Sequence, residues 1–279
     1  MKEIQQEQVE VFRSYLINEE KAMTTVNKYI NDVIKFVRWL SSSQIDKNVV
    51  LHYKKYLIER YAFASVNAML SSLNSFFSFM QWYDLRVKKL KIQKQTFASA
   101  DKELGKDEYE RLLQAAKQNK SKRLYLLMQT ICSTGIRVSE VKYITVAAAD
   151  SGVAEIKCKG KCRQVFLPRR LCIVLRQYIK EQKIKSGSIF VTKNGNPIDR
   201  SNIWSDMKKL CRAANVLEKK VFPHNLRHLF ARTYYSLQKD IVRLADILGH
   251  SSVNTTRIYT MENGEIHRQQ IQKLGLLRC

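Results

Sequence analysis

Between residues 5 and 83 the apolar positions recur at three- and four-residue steps. Val26, Ile30, Val33, Ile34, Val37 and Leu40 make one stripe, and Val66, Met69, Leu70, Leu73 and Phe77 make another. That period puts each set on one side of a helix. With further segments near 5–17 and 46–60 it predicts a bundle of about four helices. The bundle has no glycine, and the chain's three prolines all lie beyond residue 160. Its connections are therefore expected to be short polar turns such as Ser41-Ser42-Ser43, and the bundle to be compact.

From Asp84 to Lys106 the stripe gives way to a basic, weakly periodic stretch with no sustained apolar face. This divides the chain into a helical domain over 1–90, a basic linker over 91–105 and a second domain over 106–279. The residues leave open whether the linker lies against phosphates, helping two domains close on a duplex as a clamp, or is a solvated tether. Beyond it, helical patterns near 107–118, 121–132 and 138–143 precede two short strands, VAEIKC (153–158) and RQVFLP (163–168), with Lys159-Gly160-Lys161 at their turn. Helices follow near 170–183, 200–214, 224–237, 241–248 and 251–260, with a strand at IFVT (189–192) and a turn at NGNP (194–197). The expected fold is mainly α: a four-helix N-terminal domain, then a mixed, mostly helical domain with a small antiparallel β-sheet.

Charge then narrows the partner. Lys and Arg number 49 against 25 Asp and Glu, a formal net charge of +24, and such a field attracts polyanions. A membrane is the competing polyanion, yet no run approaches the ~18–20 apolar residues of a spanning helix, and MKEIQQEQ lacks a signal-peptide core. A cytoplasmic protein with a nucleic-acid partner is the expectation. The six cysteines form no spaced framework, which suits a reducing compartment. Cys158 and Cys162 resemble half a metal site, but no second Cys/His pair of matching spacing follows, so no metal is expected. No P-loop, acidic metal cluster or dinucleotide fingerprint occurs, and no cofactor is expected.

Three segments carry candidate chemistry. In FPHNLRHLF, His224, Arg227 and His228 fall at i, i+3 and i+4 on one helix face, just after Pro223 at the helix start. Free backbone N–H groups there, with an arginine and a histidine, suit an anion such as phosphate. Two other readings compete: a partly buried face with a satisfied histidine, and a zinc pair. A metalloprotease helix needs a Glu beside its first His, where this chain has Asn225. In LADILGHSSVNTTRIYT, Gly249 stops a helix, His250 sits at the turn and Tyr259 follows nine residues later; capping and core packing explain the same residues equally. In STGIRVSE, Arg137 follows a Thr-Gly break with Glu140 three residues on, either an oriented guanidinium or a surface ion pair.

Taken together, TGIRVSE, CKGKCRQVFLP, HNLRH and LGHSSVNTTRIY resemble, in order, spacing and flanking residues, the boxes of the tyrosine recombinases, or phage-type integrases. The likeness is strong over roughly 100–265 and weaker over the helical N-terminal domain, which is similar to the family's core-binding (SAM-like) domain. It implies a site-specific recombinase that cuts and rejoins duplex DNA through a 3′-phosphotyrosyl link and a Holliday junction, as a homo-tetramer, without ATP or divalent metal. By the same resemblance Arg137 and Arg227 grip the scissile phosphate, Tyr259 is the nucleophile, His224 takes its proton and His250 hydrogen-bonds the phosphate. The hairpin lysine that protonates the leaving oxygen is Lys159, with Lys161 as its rival. Glu140 and His228 support these groups, and no metal is bound. The segment GEIHRQQIQKLGLL (264–277) is expected to be either a cap on its own chain or a contact with a neighbouring protomer, and no arm-binding domain is expected before the clamp. The expected role is integration and excision of a mobile element; chromosome-dimer resolution and DNA inversion are the alternatives, with a type IB topoisomerase and a catalytically silent DNA-binding regulator behind them.

Overall fold

The computed structural model describes residues 2–40, 44–92, 102–158, 161–259 and 272–273, with the side chains of Cys158 and Lys161 left out. The chain forms two compact units, Met1–Lys94 and Gln95–Cys279. The first is all helical: α1 Gln6–Asn18, α2 Met23–Leu40, α3 Lys47–Arg60 and α4 Phe63–Phe79. The predicted stripes form its core, with Val26, Ile30, Val33 and Leu40 of α2 buried with Val66, Leu70, Leu73 and Phe77 of α4, while Ile34 and Val37 pack at the rim. Asp46 caps α3 by accepting from the Val49 amide at 2.8 Å. One polar group interrupts the core: Asp32 of α2 accepts from Ser72 of α4 at 2.7 Å and from Lys28 at 2.6 Å, so the buried carboxylate is paired rather than orphaned.

The beginning of the basic stretch is not a free tether. Leu85 and Val87 are buried in the bundle core while Arg86 and Lys88 are exposed, a period of two that marks an extended strap. Two asparagines of α4 hold it as a second strand would. Asn74 donates to the Val87 carbonyl at 2.8 Å and accepts from its amide at 2.9 Å, and Asn67 does the same for Leu90 at 2.9 and 2.7 Å. The spacing matches because seven helical residues and three extended ones both span about 10 Å. At the far end of the stretch Leu104 is fully buried in the second unit, and Glu103 pairs with Arg232. Residues 93–101, between these anchors, lie outside the described residues.

The second unit is mostly helical with one two-stranded antiparallel sheet: α5 Lys106–Gln118, α6 Lys122–Thr134, a 3₁₀ turn Val138–Tyr143, α7 Val146–Ser151, β1 Val153–Cys158, β2 Lys161–Phe166, α8 Arg169–Glu181, α9 Arg200–Lys209, α10 Cys211–Ala214, α11 Pro223–Gln238, α12 Ile241–Leu248, α13 Val253–Thr256 and a 3₁₀ turn Arg257–Tyr259. The second strand starts two residues earlier than expected, because pairing runs from Val153↔Phe166 to Cys158↔Lys161. The expected strand at IFVT is not one; of its residues only Val191 makes an isolated bridge, to Pro197, and Ser188 just before it makes another, to Thr145. There Ile189 and Phe190 are buried as core plugs, which explains their apolar run without a sheet. The helix expected over 200–214 breaks at Leu210, the one over 251–260 tightens into a 3₁₀ turn, and α7 was not anticipated.

Candidate active site

Two helix ends meet at the N-terminal half of α11. Helix α6 stops at Gly135 (φ +66°) and α12 at Gly249 (φ +64°), both left-handed, where a glycine avoids the Cβ clash. Each stop leaves carbonyls without helical partners. Arg227, fixed on α11 by Pro223 at its first turn, reaches between them, donating to the Gly135 carbonyl at 2.6 Å and to the Leu248 carbonyl at 2.8 Å. It is 1% exposed, and its Nε has no partner among the described residues. Burial, with the charge of Arg137 beside it, lowers the guanidinium's pKa to about 10, against an opposing pull from Tyr259. It stays charged at neutral pH, held for an anion.

The same guanidinium lies 2.9 Å from His250 Nε2, and His250 Nδ1 lies 2.8 Å from the hydroxyl of buried Thr256. An arginine can only donate, so Nε2 accepts and the proton sits on Nδ1, facing Thr256. Arg137, just past Gly135, is held by Glu140. The carboxylate takes the Arg137 backbone amide at 2.8 Å and its guanidinium at 3.0 Å, and Arg137 also donates to the Gly249 carbonyl at 3.3 Å. Glu140 is 3% exposed, so this is a buried support and not the surface ion pair that the sequence left possible.

Tyr259 closes the group. Its ring, 4% exposed, sits in a small cluster with Ala231, Leu244 and Leu248, edge-on to His228 at 4.8 Å and stacked on His250 at 6.1 Å. The His224 ring meets His228 at 4.5 Å, so ring contacts run from His224 through His228 to Tyr259. Arg137, Glu140 and His250 line a cleft of about 710 Å³ that also takes in Ile156, Cys162 and Arg163. Seven of the eight expected site residues thus converge from three separated segments. Lys159 lies outside the described residues, and Lys161, its rival, is placed by its backbone alone, opposite Cys158. Among the described residues no group of three or more His, Cys, Asp or Glu is set to hold a metal.

Arg163 is the residue that sequence reading missed. It donates to Glu140 at 2.7 Å and to the Ile247 carbonyl at 2.7 Å. A signal was present: Val165 and Leu167 are inward-facing, and the period of two puts the charge of Arg163 on that same face. Thr256, the partner of His250, was missed as well.

The histidines are kept neutral. Burial first, then His224 and Arg227, lowers His228 from 6.5 to about 4; burial, then the guanidiniums of Arg227, Arg137 and Arg163, does the same to His250. His224 is lowered for related reasons. Between about 4 and 6.5 the unfolded chain binds protons that the folded chain refuses, so stability must rise with pH across that window and fall as pH drops through it. Urea unfolding of the DNA-free protein should show a lower midpoint at pH 5 than at pH 7, and His228→Gln should flatten that dependence; an unchanged midpoint in the wild type would mean these rings are not neutral in the fold.

Residues 102–265 match the phage integrase family, and residues 9–83 match the phage integrase N-terminal SAM-like domain. The chain is 26% identical over 286 residues to tyrosine recombinase XerA of Pyrococcus furiosus, covering 99% of this chain and 96% of the relative. It is 25% identical over 277 residues to the TnP I resolvase of Bacillus thuringiensis, covering 90% and 94%. Its fold is similar to that of a lambda integrase tetramer bound to a Holliday junction, with a TM-score of 0.71 at 18% identity, covering 91% of this chain and 76% of that one. Among the described residues no helix is long and apolar enough to cross a membrane.

Proposed function

The chain belongs to the phage integrase family of tyrosine recombinases, which cleave and rejoin DNA, and from that premise we propose that it recombines duplex DNA at specific sites with Tyr259 as nucleophile. One observation carries the reading: Arg137 and His250 line one basic cleft, and Arg227, His224, His228 and Tyr259 are linked to them through hydrogen-bond and ring contacts, all from three separated segments. In this reading the scissile phosphate enters beside Arg137 and takes over the guanidinium N–H that Arg227 now spends on His250. His250 Nε2, released from accepting, turns donor toward a phosphate oxygen as the added negative charge raises its pKa. Two planar guanidiniums then face the charge that builds on the non-bridging oxygens in the pentacovalent transition state.

The Tyr259 oxygen forms a bond to phosphorus while the bond to the 5′-oxygen breaks, leaving a 3′-phosphotyrosine and a free 5′-hydroxyl. A neutral phenol is a weak nucleophile and needs a base. His228, held at about 4, is too weak a base for that task, and His224, neutral and open to solvent, takes the proton. Lys159, with Lys161 as rival, gives the leaving oxygen its proton.

The finer role is also a proposal. Integration of a mobile element and resolution of joined DNA use identical chemistry, and the likeness to a resolvase along 90% of this chain supports the second. A tetramer on paired duplexes is supported by the fold likeness to the lambda integrase assembly. The C-terminal segment 264–277 lies outside the described residues, apart from 272 and 273.

The test is covalent trapping with mapping. End-labelled duplexes covering the DNA that flanks its coding sequence are incubated with the protein and a chelator, then denatured and digested with trypsin. The expected product is DNA joined to the peptide spanning Ile258 to Arg268. DNA joined to another peptide would overturn the nucleophile, and tight, salt-sensitive binding with no adduct would favour the silent regulator.

A further inference from the structure

Arg163 faces inward from β2, opposite Ile156 in the hairpin register. It touches three things at once. One guanidinium nitrogen donates to Glu140 Oε2 at 2.7 Å, another donates to the Ile247 carbonyl at 2.7 Å, and its stem crosses Gly249 so closely that an added Cβ there would sit 2.5 Å from Cδ. Glu140 and Gly249 are the two groups that hold Arg137 from behind, and Gly249 is the residue that sets down His250. A single side chain on the hairpin therefore bears on the supports of both phosphate-facing groups.

We infer that Arg163 is a positioning residue that ties the β1–β2 hairpin to Arg137 and His250, so that docking of the hairpin sets the angle at which both meet the scissile phosphate. The inference rests on the site reading given above. Its physical basis is competition for one carboxylate. Glu140, buried, divides its oxygens between two guanidiniums. With Arg163 gone, Oε2 keeps the Arg137 backbone amide but has a lone pair to spare, so that both oxygens can face the Arg137 guanidinium as a two-pronged pair, the stronger geometry for a guanidinium and a carboxylate. Arg137 would then be drawn back from the cleft, and the turn at Gly249 would lose the stem packed across it.

The experiment uses the full chain and two duplexes, one with the natural scissile phosphate and one with a methylphosphonate there. The methyl group removes the negative charge that the arginines must neutralise. Arg163→Met, checked for folding by its melting curve, should form the covalent adduct about 10- to 100-fold more slowly than wild type on the natural phosphate, the range seen when a supporting shell is removed. On the methylphosphonate the defect should shrink, as it should for Arg137→Ala. Arg163→Lys keeps a cation beside Glu140 and should recover part of the rate, and it carries the test if the methionine variant fails to fold. Equal slowing on both substrates, or none, overturns the inference while leaving Tyr259 as nucleophile. Failure of wild type to form an adduct on either duplex overturns the site reading, and the inference with it.

Discussion

Tyr259→Phe should form no covalent adduct with DNA on any timescale at which wild type does, yet fold and bind duplex as wild type does. The expectation follows because, apart from its interaction with Arg227, the hydroxyl adds little to the packing. The ring is what packs: it is edge-on to His228 and stacked on His250, within a cluster with Leu244 and Leu248, and phenylalanine keeps all of that area. Affinity should be retained because it comes from a chain of net charge +24, not from one phenol. The decisive comparison is adduct formation against filter binding in the same salt. Unchanged binding with no adduct separates nucleophile from scaffold. An adduct that persists in the variant would move the nucleophile to another residue and remove the basis for the proposed mechanism.

The helical bundle was legible because its stripes obey one period over many turns, and burial of Val26, Ile30, Val33, Leu70 and Leu73 follows that period. The strap was harder to read. It is short, half of its residues are basic and solvent-facing, and its hydrogen bonds go to two asparagine side chains rather than to a strand, so nothing local announces it. Residues 189–192 failed in the opposite sense, since an apolar run of four satisfies a strand and a core plug equally. In the site, the face shared by His224, Arg227 and His228 was legible from spacing within one helix. What spacing could not give is that Arg227 finds its partners 92 and 21 residues away, at the ends of two other helices. The same limit hid Arg163, whose partners Glu140 and Ile247 lie 23 and 84 residues off. Glycines at 135 and 249 read as ordinary helix stops; only the fold reveals that both stops aim their carbonyls at one guanidinium.

Arg227→Ala should slow adduct formation by roughly 10²- to 10³-fold or more, the size of effect expected when a fixed donor to developing charge is removed, and do so with a stability loss of no more than about 3 kcal/mol. Two opposing terms set the second half. The variant strands the Gly135 and Leu248 carbonyls, which costs about 1–3 kcal/mol each. It also relieves the burden of a buried cation beside Arg137. A pKa lowered from 12.5 to about 10 corresponds to about 3 kcal/mol by which the fold disfavours that charge. The terms nearly cancel, leaving a net loss of about 3 kcal/mol at most. Arg227→Lys should be no milder for catalysis, because an ammonium lacks the planar fork that reaches two carbonyls and a phosphate together. Adduct rates under single turnover, read beside urea unfolding curves, check both halves. A variant that cleaves within about tenfold of wild type would remove Arg227 from the phosphate site. One that loses cleavage only in proportion to unfolded protein would make it a strut between α6 and α12. The prediction stands against both, because a guanidinium that the unliganded fold disfavours is one for which a phosphate is the missing partner.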